Sequence, residues 1–187
     1  MKHTKIFIAV IFITAFQQNG FSQAKDYKLL KFDFSLGAAF PAKQGIGFVT
    51  AFEPKVNISN KFAVGLKAEV ALMARGASFN QNGGSLNVVT NFMVQPTVDF
   101  YITKLIFRPF VGIGAGVYNF GSNENTTADS KQSDFEKVSL FGICPRVGFE
   151  VWHFRVSGEY NIVPKTGVVD NNYASVKLGF FFGGGKK

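Results

Sequence analysis

From Phe62 to Arg75 the chain reads as two interleaved sequences. Phe62, Val64, Leu66, Ala68, Val70, Leu72 and Ala74 are apolar, and the positions between them carry Gly65, Lys67, Glu69 and Arg75 among small residues. A period of two is the mark of a β-strand with two unlike faces. Eight segments carry this alternation, approximately 28–40, 46–58, 62–75, 86–101, 105–120, 137–151, 154–162 and 173–182. Their connections fall into two kinds. Residues 59–61, 102–104 and 152–153 are short turns, whereas 41–45, 76–85, 121–136 and 163–172 are longer links. Short turns at one end and loops at the other predict an all-β fold, an eight-stranded antiparallel up-and-down β-barrel with both termini at the short-turn end. No helix and no second domain is read after residue 23.

The first residues follow a different rule. Lys2, His3 and Lys5 form a basic start, Ile6 to Phe16 is an almost unbroken apolar run, and Gly20 and Ser22 precede Gln23 at cleavage-site spacing. This is the pattern of a secretory signal peptide over residues 1–22, with 23–187 as the barrel domain of the exported chain. The run is too short for a permanent membrane helix.

Alternation alone leaves open which barrel face meets water, because a lipocalin-like soluble barrel alternates too. Three observations decide it. One face, with Phe32, Phe34, Phe52, Phe92, Ile113, Phe141, Val156, Leu178 and Phe180 among its members, carries no charge on these registers. The other carries Lys31, Asp33, Glu53, Lys55, Lys67, Glu69, Arg75, Asp99, Arg108, Arg146, Glu150, Arg155, Glu159 and Lys177, a nearly balanced set. Between those charges lie Gly37, Gly47, Gly65, Gly112, Gly114, Gly116, Gly148 and Gly179, as suits a narrow space where long side chains interdigitate. An eight-stranded barrel is just wide enough to be filled by side chains and has no room for so many phenylalanines inside. The apolar face is therefore expected to meet lipid, where a Lys or Arg near the midplane costs ~2–4 kcal/mol. The charged face becomes the lumen.

Composition agrees. Charged residues are 17 %, against about 25 % in ordinary soluble domains, while hydrophobic residues reach 47 % and phenylalanine alone numbers 23. The formal charge of +8 includes Lys2 and Lys5 of the leader. An exported chain rarely meets nucleic acid, so lipid phosphates or solubility explain the basic excess. The single Cys144 forms no internal disulfide.

The stretch RPFVGIGAGVYNF, Arg108 to Phe120, resembles a recurrent strand of the porin-like outer-membrane β-barrel domain family. There a basic residue, proline and an aromatic are followed by glycines at alternate positions and a closing aromatic. Here these are Arg108, Pro109, Phe110, then Gly112, Gly114, Gly116 and Tyr118. FDFSLGAAFP and YASVKLGFFF are similar to that family's first and last strands. The resemblance implies a small barrel like OmpX or the OmpA transmembrane domain in a bacterial outer membrane, surrounded by lipid and inserted by the assembly machinery. Barrels recognised by that machinery usually end on an aromatic, but this chain runs past Phe182 with Gly183-Gly184-Gly185-Lys186-Lys187. Pro54, Pro96, Pro109 and Pro145 interrupt proposed strands, and are expected to mark one level of bulges.

Little else in the chain carries chemistry. Gly112, Gly114 and Gly116 lack the spacing and context of a nucleotide fingerprint and read as lumen spacers. A metal site has no support in ligand number or spacing, and no cofactor is expected. The one His after the leader, His153, sits beside Trp152 in a turn, where the pair reads as interfacial anchors. Asn125-Thr126-Thr127 matches a glycosylation sequon to which a bacterial chain gives no weight. The charged face reads chiefly as a salt-bridge network that fills the lumen; crosswise pairs such as Lys67 with Glu53 would favour that reading, and a water path through the lumen would favour a channel. The expectation is a non-enzymatic barrel working through the loops 76–85, 121–136 and 163–172, with a surface ligand or partner barrel unspecified. The alternatives are a narrow passive channel resembling OmpW-like proteins, and an accessory subunit of a larger machine.

Overall fold

The computed structural model describes residues 26–42, 45–80, 83–123, 137–167 and 170–185. The leader 1–22, the sequon and most of the 121–136 link lie outside the described residues. Eight strands follow in chain order, β1 (Leu30–Pro41), β2 (Gly47–Asn57), β3 (Phe62–Asn80), β4 (Gly83–Tyr101), β5 (Phe107–Asn123), β6 (Lys137–Val151), β7 (Phe154–Asn161) and β8 (Tyr173–Gly183). Each pairs antiparallel with the next, and β1 pairs with β8 to close the barrel, from Lys31 opposite Gly183 to Pro41 opposite Tyr173.

Closure fixes the faces. Phe32, Phe34, Leu36, Phe48, Leu66, Ile113, Phe141, Val147, Leu178 and Phe182 point outward and are exposed, while Lys31, Asp33, Glu53, Lys55, Lys67, Glu69 and Asp99 are buried inside. A soluble protein would place these two sets the other way round. The exposed apolar belt with a charged interior is that of a membrane-spanning barrel, whose backbone donors and acceptors are satisfied within the sheet.

The structure departs from the sequence reading in three places. First, residues 76–80 and 83–85 are not loop. They lengthen β3 and β4, with Asn80 opposite Gly83 and one register shift between Arg75 and Ala77. Pairing of β2 with β3 stops at Gly47 opposite Met73. The hairpin therefore stands beyond its neighbour by roughly 20 Å of strand at ~3.3 Å per residue. Alternation fades there into Ser, Asn and Gly, which is why this stretch reads as loop in the sequence.

Second, the prolines make no bulges. Phe52 opposite Ala68 and Lys55 opposite Gly65 flank Pro54 in one register. Val94 opposite Val117 and Thr97 opposite Gly114 do the same for Pro96, and Pro109 pairs opposite Phe149 in an unbroken β5–β6 register. Beside Pro145, the β6–β7 ladder has a gap between Arg146 opposite Glu159 and the isolated bridge Ile143 to Ile162, again in register. Proline lacks the N–H but its fixed φ is compatible with an extended chain, so ladder bonds are lost without an inserted residue.

Third, the 163–172 link is partly folded inward. Val163 is buried, its N–H donates to Asn172 Oδ1 at 2.8 Å, and buried Asn171 donates to the Pro164 carbonyl at 2.9 Å and to Thr166 Oγ1 at 3.0 Å.

The inward glycines are space-makers. A Cβ at Gly112 would lie 2.3 Å from Asp99 Oδ1 and 2.8 Å from the Val98 carbonyl oxygen, and one at Gly114 would lie 2.6 Å from Gln95 Nε2. Gly112→Val is expected to destabilise the folded barrel by about 1–3 kcal/mol through overpacking. Val111→Leu, one residue away on the exposed face, should change stability by less than about 0.5 kcal/mol. Urea midpoints of the two variants in lipid vesicles check this; equal midpoints would show that the lumen has room to spare.

Candidate functional site: the charged lumen

Alternation along each strand brings the charged residues into one enclosed column, where they pair across the barrel. Toward the short-turn end, Lys55 contacts Glu53 and Asp99, both at 3.1 Å, and Asp33 at 3.4 Å. Arg146 sends Nη2 to Glu53 Oε1 at 2.8 Å and Nε to Asp99 Oδ1 at 2.8 Å. Arg155 reaches Glu150 at 2.7 Å, Asp99 at 3.0 Å and Asp33 at 3.4 Å. Lys31 pairs with Glu150, which also accepts a hydrogen bond from the Tyr101 hydroxyl at 2.8 Å.

Toward the loop end lies a closed ring of four charges. Lys67 contacts Glu69 at 3.4 Å and pairs with Glu159, Lys177 contacts Glu159 at 2.8 Å, and Lys177 closes on Glu69. Glu69 accepts a hydrogen bond from the Tyr173 hydroxyl at 2.9 Å. Cys144 is inserted in this ring, its thiol 3.5 Å from Glu159 Oε2 and 3.8 Å from Lys67 Nζ. Two carboxylates and two ammoniums in alternation leave the ring neutral, and each charge has two opposite neighbours. Removing one partner from such a buried set exposes the rest to an unbalanced field.

Thirteen of the fourteen lumen residues expected from the sequence thus lie buried in this column. Arg75 is in β3, opposite Asn87, and its side chain lies outside the described residues. Crosswise pairs are present, but the expected pair of Lys67 with Glu53 is not among them: Lys67 meets Glu159. Glu53 is taken by Arg146 and Lys55, because stagger along the tilted strands sets Lys67 level with Glu159 instead. Arg108 stands at the short-turn end, its guanidinium 3.7 Å from the Tyr27 ring centroid and 3.9 Å from that of Tyr101, with Glu150 at 3.8 Å. Trp152 and His153 form the exposed β6–β7 turn, where the His153 ring packs on Phe180 and Phe181 at 5.8 and 5.6 Å between centroids.

The charge census missed the residues that close the column. At the loop end Ala39, Val49, Ala71, Met73, Val89, Met93, Tyr118, Phe120, Val163 and Tyr173 form an apolar cluster. At the other end Ala63, Tyr101 and Phe110 form a second, with the Arg155 guanidinium 3.7 Å above the Phe110 ring. Parity would have found most of them. Met93, Gln95, Thr97 and Tyr101 alternate in step with Asp99, and Phe110, Tyr118 and Phe120 are in step with Arg108. Among the described residues no group of three or more His, Cys, Asp and Glu side chains is arranged to hold a metal.

These features define a small eight-stranded membrane barrel of the outer-membrane type. The likeness to solved structures is of the same kind. The chain is similar to the Yersinia pestis outer membrane protein Ail in a phospholipid nanodisc (16 % identity, TM-score 0.51, covering 81 % of this chain and 99 % of that one). It is likewise similar to OprG from Pseudomonas aeruginosa (14 %, 0.55, 86 % and 100 %) and to Neisserial surface protein A (12 %, 0.50, 82 % and 95 %). At these identities what is shared is the fold. No protein-family model matches the chain, and no curated protein sequence does either.

Asp99 is shared by three cations at 3.1 Å or closer, Lys55, Arg146 and Arg155. Asp99→Asn is expected to cost about 3–5 kcal/mol, because three cations lose a buried partner. Asp170→Asn, whose carboxylate lies 3.9 Å from the exposed Lys165 and accepts the Asn172 N–H at 3.0 Å, a bond an amide oxygen keeps, should cost less than about 0.5 kcal/mol. Equilibrium unfolding in vesicles separates them; similar losses would mean that the lumen charges are hydrated rather than paired.

Proposed function

We propose that this chain is a non-enzymatic integral protein of a bacterial outer membrane, exported by residues 1–22 and inserted by the outer-membrane assembly machinery. Its lumen is a structural filling, and its working surface is the loop end. The observation that carries this reading is the continuous packing of the column, two ion-pair layers between two apolar clusters. A pathway for solute needs connected water, and among the described residues ion pairs and apolar clusters take up the interior, leaving scattered buried polar atoms such as Asp33 Oδ1 and Gln95 Nε2 without a protein partner. The fourteen lumen residues serve to neutralise and rigidify one another. Trp152 and His153 serve as anchors at the membrane interface.

The long β3–β4 hairpin extends from the same end of the barrel at which β5 stops at Asn123 and β6 starts at Lys137, and this is where a surface ligand or partner would be met. Against an enzyme stands the placement of His153, at the opposite end and packed on aromatic rings.

Single-channel recording of the refolded protein in a planar bilayer tests the reading. After a heat-dependent gel shift confirms folding, a silent bilayer is expected. Steady discrete openings would make the charged column a solute path and replace this reading by that of a narrow passive channel.

A further inference from the structure

The short-turn end holds a feature that neither a filled lumen nor a loop-end surface uses. A cavity of about 550 Å³ opens there, lined among others by Lys28, Ile106, Arg108, Trp152 and Gly184. It is a built site, assembled from both ends of the described chain. The segment before β1 crosses the barrel mouth, with the Asp26 N–H donating to Asn60 Oδ1 at 3.0 Å and the Tyr27 hydroxyl to the Leu105 carbonyl at 3.2 Å. After β8, positive φ at Gly183 (72°) and Gly184 (61°) turns the chain inward, a conformation that favours glycine. Gly184 N–H then donates to the Leu30 carbonyl at 2.8 Å, and Lys28 N–H donates to the Gly185 carbonyl at 3.0 Å. A Cβ at Gly184 would fall 2.6 Å from the Lys31 side chain. The glycines beyond the last aromatic thus form a cavity wall.

The electrostatics of this cavity are unbalanced. Arg108 is only 4 % exposed, yet its Nε has no hydrogen-bond partner among the described residues. Stacking between Tyr27 and Tyr101 fixes the guanidinium plane, and Nη2 reaches only the Asn60 carbonyl, at 3.3 Å. Glu150 also lines the cavity: its Oε1 is shared by Lys31 and Arg155, and its Oε2 stands 3.8 Å from Arg108 Nη1 without a hydrogen-bond donor, so this one carboxylate is set against Lys31, Arg155, Arg108 and Lys28 and the cavity remains net positive. The rim is apolar and exposed, with Leu105 at 67 % and Trp152 at 71 %. A fixed guanidinium fork and an ammonium lining one cavity suit a tetrahedral oxyanion, and an apolar rim suits the chains attached to it.

We infer that the turn-end cavity binds a phosphate group, held by Arg108 and Lys28, with a phospholipid headgroup as the source the apolar rim favours. The site takes Arg108 and Glu150 from the turn end of the lumen column, but binding there is read out independently of whether the barrel conducts.

Trp152 is the only tryptophan of the chain and lines the cavity, so its emission reports occupancy. The folded barrel in a neutral maltoside detergent is titrated with dihexanoyl-phosphatidylglycerol, with inorganic phosphate and with uncharged dihexanoylglycerol. A saturable change with the phospholipid is expected, weakened about tenfold or more in Arg108→Gln and less in Lys28→Gln. Saturation by inorganic phosphate as well would support the site with a free anion as sufficient ligand; saturation by the phospholipid alone would assign it to a headgroup. Lys28→Gln alters an exposed side chain, so it stays informative if Arg108→Gln fails the gel-shift test of folding. No saturable response, a response matched by dihexanoylglycerol, or one untouched by either substitution would overturn the inference.

Discussion

Hydrocarbon offers no hydrogen-bond partner to a peptide group, and this constraint governs the molecule. A sheet that enters a membrane must satisfy its edges, and the only edges available to satisfy one another are its first and last strands. Pairing of β1 with β8, eleven residues of register from Lys31 to Pro41, removes both edges. Once the sheet is closed its faces become unequal solvents, lipid outside and a narrow column inside. The two-residue period of each strand then sorts side chains between them. Even the prolines obey this order, since they break ladder bonds locally yet leave every register in step.

With eight strands the column is about as wide as the side chains that fill it. Long charged side chains fill it because each finds opposite charges across the barrel, and inward glycines such as Gly112 and Gly114 give those chains room. Pairing is essential, because charges buried without partners would cost several kcal/mol each. The interior splits into a cluster centred on Asp99 and a ring of Lys67, Glu69, Glu159 and Lys177. Apolar side chains finish each end, where the column would otherwise open to water. A lumen organised in this way lends rigidity to the barrel and leaves its two ends to carry chemistry. The ends differ: a long hairpin rises at one, and a basic, aromatic-rimmed cavity lies at the other.

Much of this was legible in the sequence, because membrane barrels write their faces directly as alternation. Strand number, order, closure and the inward direction of the charged residues follow from positions such as Lys67 and Glu69 set against Leu66 and Val70. What alternation cannot carry is anything that depends on stagger. The partner of Lys67 is set by the tilt of neighbouring strands, so Glu159 meets it and Glu53 does not. The extension of β3 and β4 was hidden because Gly76 to Ser85 lacks the two-residue alternation, and runs of Ser, Asn and Gly read as loop. The turn-end cavity was illegible for another reason: Tyr27, Arg108 and Gly184 are far apart in sequence and meet only when the barrel closes.

Cys144 offers the most direct view into the column. It is the only cysteine, fully buried, and seated between Lys67 and Glu159. Its reaction with a small charged methanethiosulfonate reagent, followed by mass spectrometry on the folded barrel in lipid vesicles, measures whether water reaches the lumen. A filled lumen predicts no labelling of the folded protein and full labelling once it is unfolded. Labelling of the folded barrel at the rate of a free thiol would contradict a filled lumen and make the column a continuous aqueous path.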